Sequence, residues 1–342
     1  MNQAAPKAVT GGSLRLICRS PPCALAPSRC KDLRGSRANP VLKVTLELDN
    51  MFAGSLVAIV TPMRRDGAVD FDAWGRLLDF HLENGTDGIV VGGTTGESPT
   101  ITEAELGELT ERACTHVNKR VPIIVGAGTN STASTVARAK WLSELPVAAL
   151  LVVTPSYNRP PQEGLYRHFA AVAEASRVPM ILYNIPGRTA VDLLPSTVSR
   201  LMQFPQIVAI KEGVASIERV KELISVARAG FNILSGDDAT CREAVLAGAS
   251  GVISVTANVA PRLMSDMLAA AGRGDRAGAA ALDARLAALH RDLFLEANPI
   301  PAKWALERMG LIEGGIRLPL TELAPVHHAA LTAALRAAGA LK

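Results

Sequence analysis

The sequence predicts a closed (β/α)₈ barrel with a C-terminal helical appendage. Three observations carry this reading. Eight short apolar, β-branched runs recur between residues 55 and 255. They stand about 28 residues apart, the length of one strand plus one crossover helix. They are apolar throughout rather than alternating, as parallel strands covered on both faces are. An open doubly wound sheet is the alternative, but its first strand usually leads into a GxGxxG turn. Here "VTPMRRDG" stands at that place.

The runs are "SLVAIV" (55–60), "GIVV" (88–91), "PIIVGA" (122–127), "AALLVV" (148–153), "PMILY" (179–183), "IVAI" (207–210), "FNILS" (231–235) and "GVISV" (251–255). Pro122 and Pro179 open two of them, and Pro205 lies just before a third. Proline ends a preceding helix and is tolerated at a strand start. Between runs, "FDAWGRLLDFHLENG" (71–85) and "SIERVKELISVARAG" (216–230) place apolar residues at helical spacing and end on glycine. The barrel is expected over 51–272. A helical region follows over 273–342, read from "RAGAAALDARLAALHRDLFLE" (276–296), "IPAKWALERMG" (300–310) and "LTELAPVHHAALTAALRAAG" (320–339), the last starting late because of Pro325.

Residues 1–50 are rich in Ala, Arg, Ser and Pro, with no acid before Asp32. They lack apolar periodicity and are expected to be an unstructured extension. A transit peptide, a Sec signal and a non-native extension upstream of a true start at Met51 are the competing readings. The formal net charge of +4 comes from this segment, which holds eight Lys/Arg and three Asp/Glu. The body is near neutral and has no bulk basic signature for nucleic acid. No apolar run is long enough to span a membrane. The five cysteines form no CxxC, and the six histidines no HxH or HExxH. This argues against a disulfide or metal framework and fits a reducing cytoplasm. His327 and His328 are expected at the surface.

Barrel chemistry sits at the C-terminal ends of the strands. The second run leads into "GGTTGES", a turn whose glycines let backbone N–H groups approach an anion. No lysine follows, so it is not a phosphate loop of the Walker type. Of six body lysines, only Lys211 ends an apolar strand, "IVAIK". Burial favours the neutral amine of a lysine, the form that attacks a carbonyl. Read alone, Lys211 fits that role or one half of a salt bridge to Glu212. A Schiff-base enzyme also needs a proton shuttle, and Tyr183 ends the adjacent strand. Only three tyrosines exist, and Tyr157 and Tyr183 both lie at strand ends. The Thr94 hydroxyl stands where it could relay protons between them. Arg188 is a candidate carboxylate clamp. Asp237 and Asp238 are expected to cap a helix rather than hold a metal.

"GSLVAIVTPM", "GGTTGES", "TPSYNRPPQEGLYRHF", "ILYNIPGRT", "AIKE", "LSGDDA" and "GVISVTANVAP" closely resemble the 4-hydroxy-tetrahydrodipicolinate synthases, within the class I pyruvate-dependent lyases. The resemblance covers about residues 51–342. It implies condensation of pyruvate with L-aspartate 4-semialdehyde on the diaminopimelate route to lysine. There is no separate cofactor, only a covalent pyruvate imine on Lys211. Tyr183 would be the acid/base, with Thr94 and Tyr157 completing the relay, Tyr157 inside a neighbouring subunit's site. Thr95 and turn amides would hold the pyruvate carboxylate, Arg188 the semialdehyde carboxylate, and backbone at Gly236 and Ile253 would shape the pocket. A homotetramer, a dimer of tight dimers, is the implied assembly. N-acetylneuraminate lyase and sugar-acid aldolases share the strand-2 turn, the tyrosine and the lysine, and are the alternative activity. The intact relay argues against a binding protein without turnover. Lysine-inhibited members carry a Tyr before the relay Tyr, a His or similar in the helix after the turn, and a Glu in the helix after strand 3. Ser156, Glu103 with Leu106, and Ser134 stand there instead, while Asn130 is kept. Weak or absent feedback by lysine is the expectation.

Overall fold

In the computed structural model, which describes residues 51–341, each of the eight apolar runs forms a strand. They are β1 Gly54–Ala58, β2 Gly88–Val91, β3 Ile123–Gly126, β4 Ala149–Val153, β5 Met180–Asn184, β6 Ile207–Glu212, β7 Asn232–Ser235 and β8 Gly251–Ser254. Each pairs in parallel with its sequence neighbours, and β1 pairs with β8, so the sheet closes into a barrel. The expectations for residues 1–50 lie outside the described residues.

Closure divides every strand into inward and outward residues. The inner cluster includes Leu56, Val90, Ile124, Leu151, Ile181 and Leu234, with Phe52 plugging one end. Outward residues pack under the helices in a larger second cluster. Both faces are thus apolar, which explains the lack of alternation in the sequence.

Helices α1 Phe71–Glu83, α2 Glu103–Val117, α3 Thr132–Leu142 and α4 Gln162–Ala175 fill the first four crossovers. The sequence signals hold locally. Asp70 accepts from two amides at the start of α1, Thr102 and Glu105 form a capping box on α2, and Ser131 caps α3. Between β5 and β6 stand the one-turn α5 Pro186–Thr189 and α6 Pro195–Leu201. Then come α7 Ile217–Val226, α8 Cys241–Leu246 and α9 Pro261–Gly272. The appendage comprises α10 Arg276–Asp292, α11 Ile300–Arg308 and α12 His328–Ala338, the last delayed by a 3₁₀ turn at Pro325–His327. Its Leu286, Leu289, Leu331 and Leu335 join the same cluster that lies between barrel and helices.

One expectation needs correction. α7 ends at Val226, not at Gly230, because Ala227 is already extended. His327 and His328 are both half-buried, and His328 has partners of its own. Its ring stacks on Trp304 with centroids 4.6 Å apart, and its Nε2 lies 3.0 Å from the Leu323 carbonyl.

His81 on α1 is fully buried, with Nδ1 3.0 Å from the Thr86 hydroxyl. Burial depresses its pKa to about 3. The unfolded chain therefore binds a proton at this site below pH 6.5 that the folded chain refuses. Stability should fall as pH drops from 6.5 toward 3, by up to about 1.4 kcal/mol per pH unit from this residue. Urea unfolding from pH 7 to 4 should show a shallower decline for His81→Asn than for the parent. Parallel curves would show that His81 is not the source.

Candidate active site

Registration of β5 against β6 sets Tyr183 beside Lys211, and β7 sets Leu234 on the other side of Lys211. The three share the inward face. Lys211 is 5% exposed, and its Nζ lies 4.4 Å from the centroid of the Tyr183 ring. A cation–π contact of this kind holds an amine without a counter-charge.

Glu212 faces the other way. Its carboxylate accepts the Val214 N–H at 2.8 Å and both oxygens take the Asn184 amide at 3.0 and 3.1 Å. Arg219 approaches it at 3.5 Å while chelating Asp192. Burial raises the Glu212 carboxyl above the usual range, and Arg219 lowers that of Asp192. The salt bridge Lys211–Glu212, open on sequence alone, is therefore absent. Lys211 is left to the barrel mouth.

The turn after β2 leaves backbone N–H groups without partners among the described residues. Gly92 takes φ +61°, and a side chain there would collide with Leu106. Gly96, Glu97 and Ser98 return their N–H groups to Gly93 and Thr94 carbonyls. Among the described residues, the N–H groups of Thr94 and Thr95 find no acceptor in the chain. Thr94 is half-buried, and Thr95 is buried with its hydroxyl accepting from Asn298 Nδ2 at 2.9 Å. Arg188, on α5, is exposed and donates from Nη2 to the Asn298 carbonyl at 3.3 Å. Gly236 packs against Lys211, and Ile253 lines the inner cluster.

A model of the dihydrodipicolinate synthetase family matches residues 51–338. The chain belongs to this family. It is 53% identical to a 4-hydroxy-tetrahydrodipicolinate synthase of Azoarcus sp. (strain BH72), over 84% of this chain and 99% of that one. It is 54% identical to one from Alkalilimnicola ehrlichii, over 85% and 100%. A crystal structure of the chloride inhibited dihydrodipicolinate synthase from Acinetobacter baumannii, complexed with pyruvate, superposes with a TM-score of 0.83. The two are 48% identical, over 84% of this chain and 99% of that one.

Within this dihydrodipicolinate synthetase fold, Lys211, Tyr183 and Ile253 lie on the inner face, Gly236 stands against Lys211, and Asn298 joins Thr95 to Arg188. Tyr157 does not join them. Its backbone is left-handed at φ +74° and its side chain is 90% exposed. Asp237 and Asp238 do not cap α8 directly. Asp237 accepts from the N–H and hydroxyl of Thr240, while Asp238 accepts from Ser254, Val255 and Thr256 and so ties β7 to the end of β8.

Sequence reasoning missed Asn298 and Lys303. Lys303 counted as one more helical lysine, yet it is 3% exposed and paired with Glu97. "NPIPAK" holds no local signal for this, since both partners lie some two hundred residues away in the chain.

Gly236 leaves little room. A Cβ there would stand 3.0 Å from the Glu212 carbonyl and 3.1 Å from Lys211 Cε. Gly236→Ala should displace the Lys211 side chain and lower turnover by about tenfold or more. The Glu212 and Gly213 backbone must give too, so the melting temperature should fall modestly while the variant stays folded. Unchanged turnover in the folded variant would remove Gly236 from the site.

Proposed function

We propose that the chain is a 4-hydroxy-tetrahydrodipicolinate synthase. The observation that carries this is one buried amine, Lys211, set against one phenol, Tyr183, on adjacent strands and facing the barrel mouth.

The Lys211 amine adds to C2 of pyruvate, giving a carbinolamine. Loss of water forms the imine, with Tyr183 supplying and recovering protons. Loss of a C3 proton gives the enamine, whose carbon attacks the aldehyde of L-aspartate 4-semialdehyde. The alkoxide takes a proton. The semialdehyde amine then adds to the imine carbon and expels Lys211, closing the ring. The free amides of Thr94 and Thr95, with the Thr95 hydroxyl, suit the pyruvate carboxylate. The Arg188 guanidinium, exposed at the mouth, suits the carboxylate of the second substrate. Gly236 and Ile253 bound the pyruvate pocket. No cofactor or metal has a step in this scheme.

Thr94 and Tyr157 are read as the rest of the proton relay. Among the described residues, the left-handed, solvent-exposed Tyr157 has no side-chain hydrogen-bond partner. This supports the reading that Tyr157 completes the site of a second copy, within a homotetramer built as a dimer of dimers. A cytoplasmic enzyme acting on pyruvate and the semialdehyde, with neither nucleic acid nor membrane as partner, fits the near-neutral body.

Borohydride reduction in the presence of pyruvate should add a pyruvyl group at Lys211 alone, read by mass spectrometry. An adduct elsewhere overturns the mechanism. Coupled turnover with the semialdehyde fixes the second substrate, and cleavage of N-acetylneuraminate or a keto-deoxy sugar acid would reassign it. Arg188→Ala should raise KM for the semialdehyde by about tenfold or more, with pyruvate trapping retained.

Lysine is expected to inhibit weakly or not at all. Glu103 is exposed and lies 3.4 Å from Arg138, Leu106 is buried beneath Gly92, and Ser134 is exposed. Together with Ser156 they offer no aromatic lid and no acid on α3. Inhibition of the pure enzyme by sub-millimolar lysine would refute this.

A further inference from the structure

We propose that Lys303 is a positioning residue of the pyruvate site, acting through Glu97. The inference deepens the reading of the Thr94–Thr95 turn as a carboxylate receptor and rests on it.

Glu97 sits at the end of that turn with φ +58°, a backbone region that a residue with a side chain adopts only when its surroundings hold it there. Its N–H donates to the Thr94 carbonyl at 3.1 Å, so the orientation of Glu97 and that of Thr94 are coupled directly. The intervening Gly96 carbonyl is fixed by the Thr61 hydroxyl at 2.8 Å. What holds Glu97 comes from the far end of the chain. One carboxylate oxygen pairs with Lys303 Nζ, and the other accepts the Arg317 N–H at 3.2 Å. Glu97 is 2% exposed and Lys303 3%, so neither charge has water to fall back on. A buried carboxylate of this kind persists only while its partner is present. Burial lowers the Lys303 pKa and Glu97 opposes that shift, as a pair held in place by mutual attraction requires.

The same stretch meets the turn twice. Asn298 donates to the Thr95 hydroxyl, and Lys303 pairs with Glu97 on α11 just beyond it. The entry to α11 therefore grips the turn on both sides of Gly96. Neither Lys303 nor Glu97 takes part in the chemical scheme. Their effect is to aim the free amides of Thr94 and Thr95.

The test is pyruvate titration of borohydride trapping at Lys211 in the full chain. It compares the parent with Lys303→Met, Glu97→Gln and the double variant. In each single variant, half-saturating pyruvate should rise by about tenfold or more, the effect of moving a carboxylate receptor by a fraction of an ångström. The plateau of trapped adduct and KM for the semialdehyde should stay near the parent values. The double variant should be no worse than the worse single, because both act through one link. A single that fails to fold is replaced by the double, which leaves no unpaired charge. Unchanged half-saturation in folded variants overturns the proposal, as do additive losses in the double. Failure of the double to fold also overturns it, since the pair would then hold the barrel rather than the turn. A parent that traps no pyruvate would instead sink the functional reading, a visibly different result.

Discussion

Pairing of β1 with β8 is the constraint on which everything else depends. A parallel sheet left open would have two faces and two edges. Closing it creates an inside, and the alternation of side chains along each strand then decides what enters. Lys211 and Tyr183 share the inner face because their positions match across one strand pair. Glu212, one residue further, must point outward into the layer beneath the helices. A slip of one residue in that register would bring the acid inside and turn the amine out.

Charge is sorted by the same geometry. The outward network of Asn184, Asp192, Glu212 and Arg219 absorbs the acids near β6, and it also anchors the segment that carries Arg188, through Asn184 Oδ1 and the Leu193 N–H. The inner face keeps one amine and a phenol. Across the mouth, the turn after β2 offers amides rather than a cation. On the proposed function, a nucleophile thus stands on one side and an anion receptor on the other, four strands apart, without a strong ion pair to neutralise the amine.

The barrel was legible because its signals are local. An apolar run of four to six residues recurs eight times, with a proline at or just before three of the runs and a side-chain-capped helix after four of them, and each such signal can be read without the others. The turn, Lys211 and Tyr183 were legible because each breaks a local expectation. Three glycines crowd one turn, a lysine ends an apolar strand, and tyrosines are scarce. Lys303 and Asn298 break none. A lysine in a helix and an asparagine before a proline are ordinary, and only their distant partners give them meaning.

Sequence alone thus determined the strand and helix set, the closed barrel as the favoured architecture, and the residue types available for imine chemistry. These follow from periodicity and from what each side chain can do. Tertiary structure decided that Glu212 is turned away from Lys211 and that Tyr157 leaves its own barrel. It also decided that the C-terminal segment holds the turn after β2, through Asn298 on Thr95 and Lys303 on Glu97. Those facts depend on which face a residue takes and on what lies across some two hundred residues of chain, and periodicity carries neither.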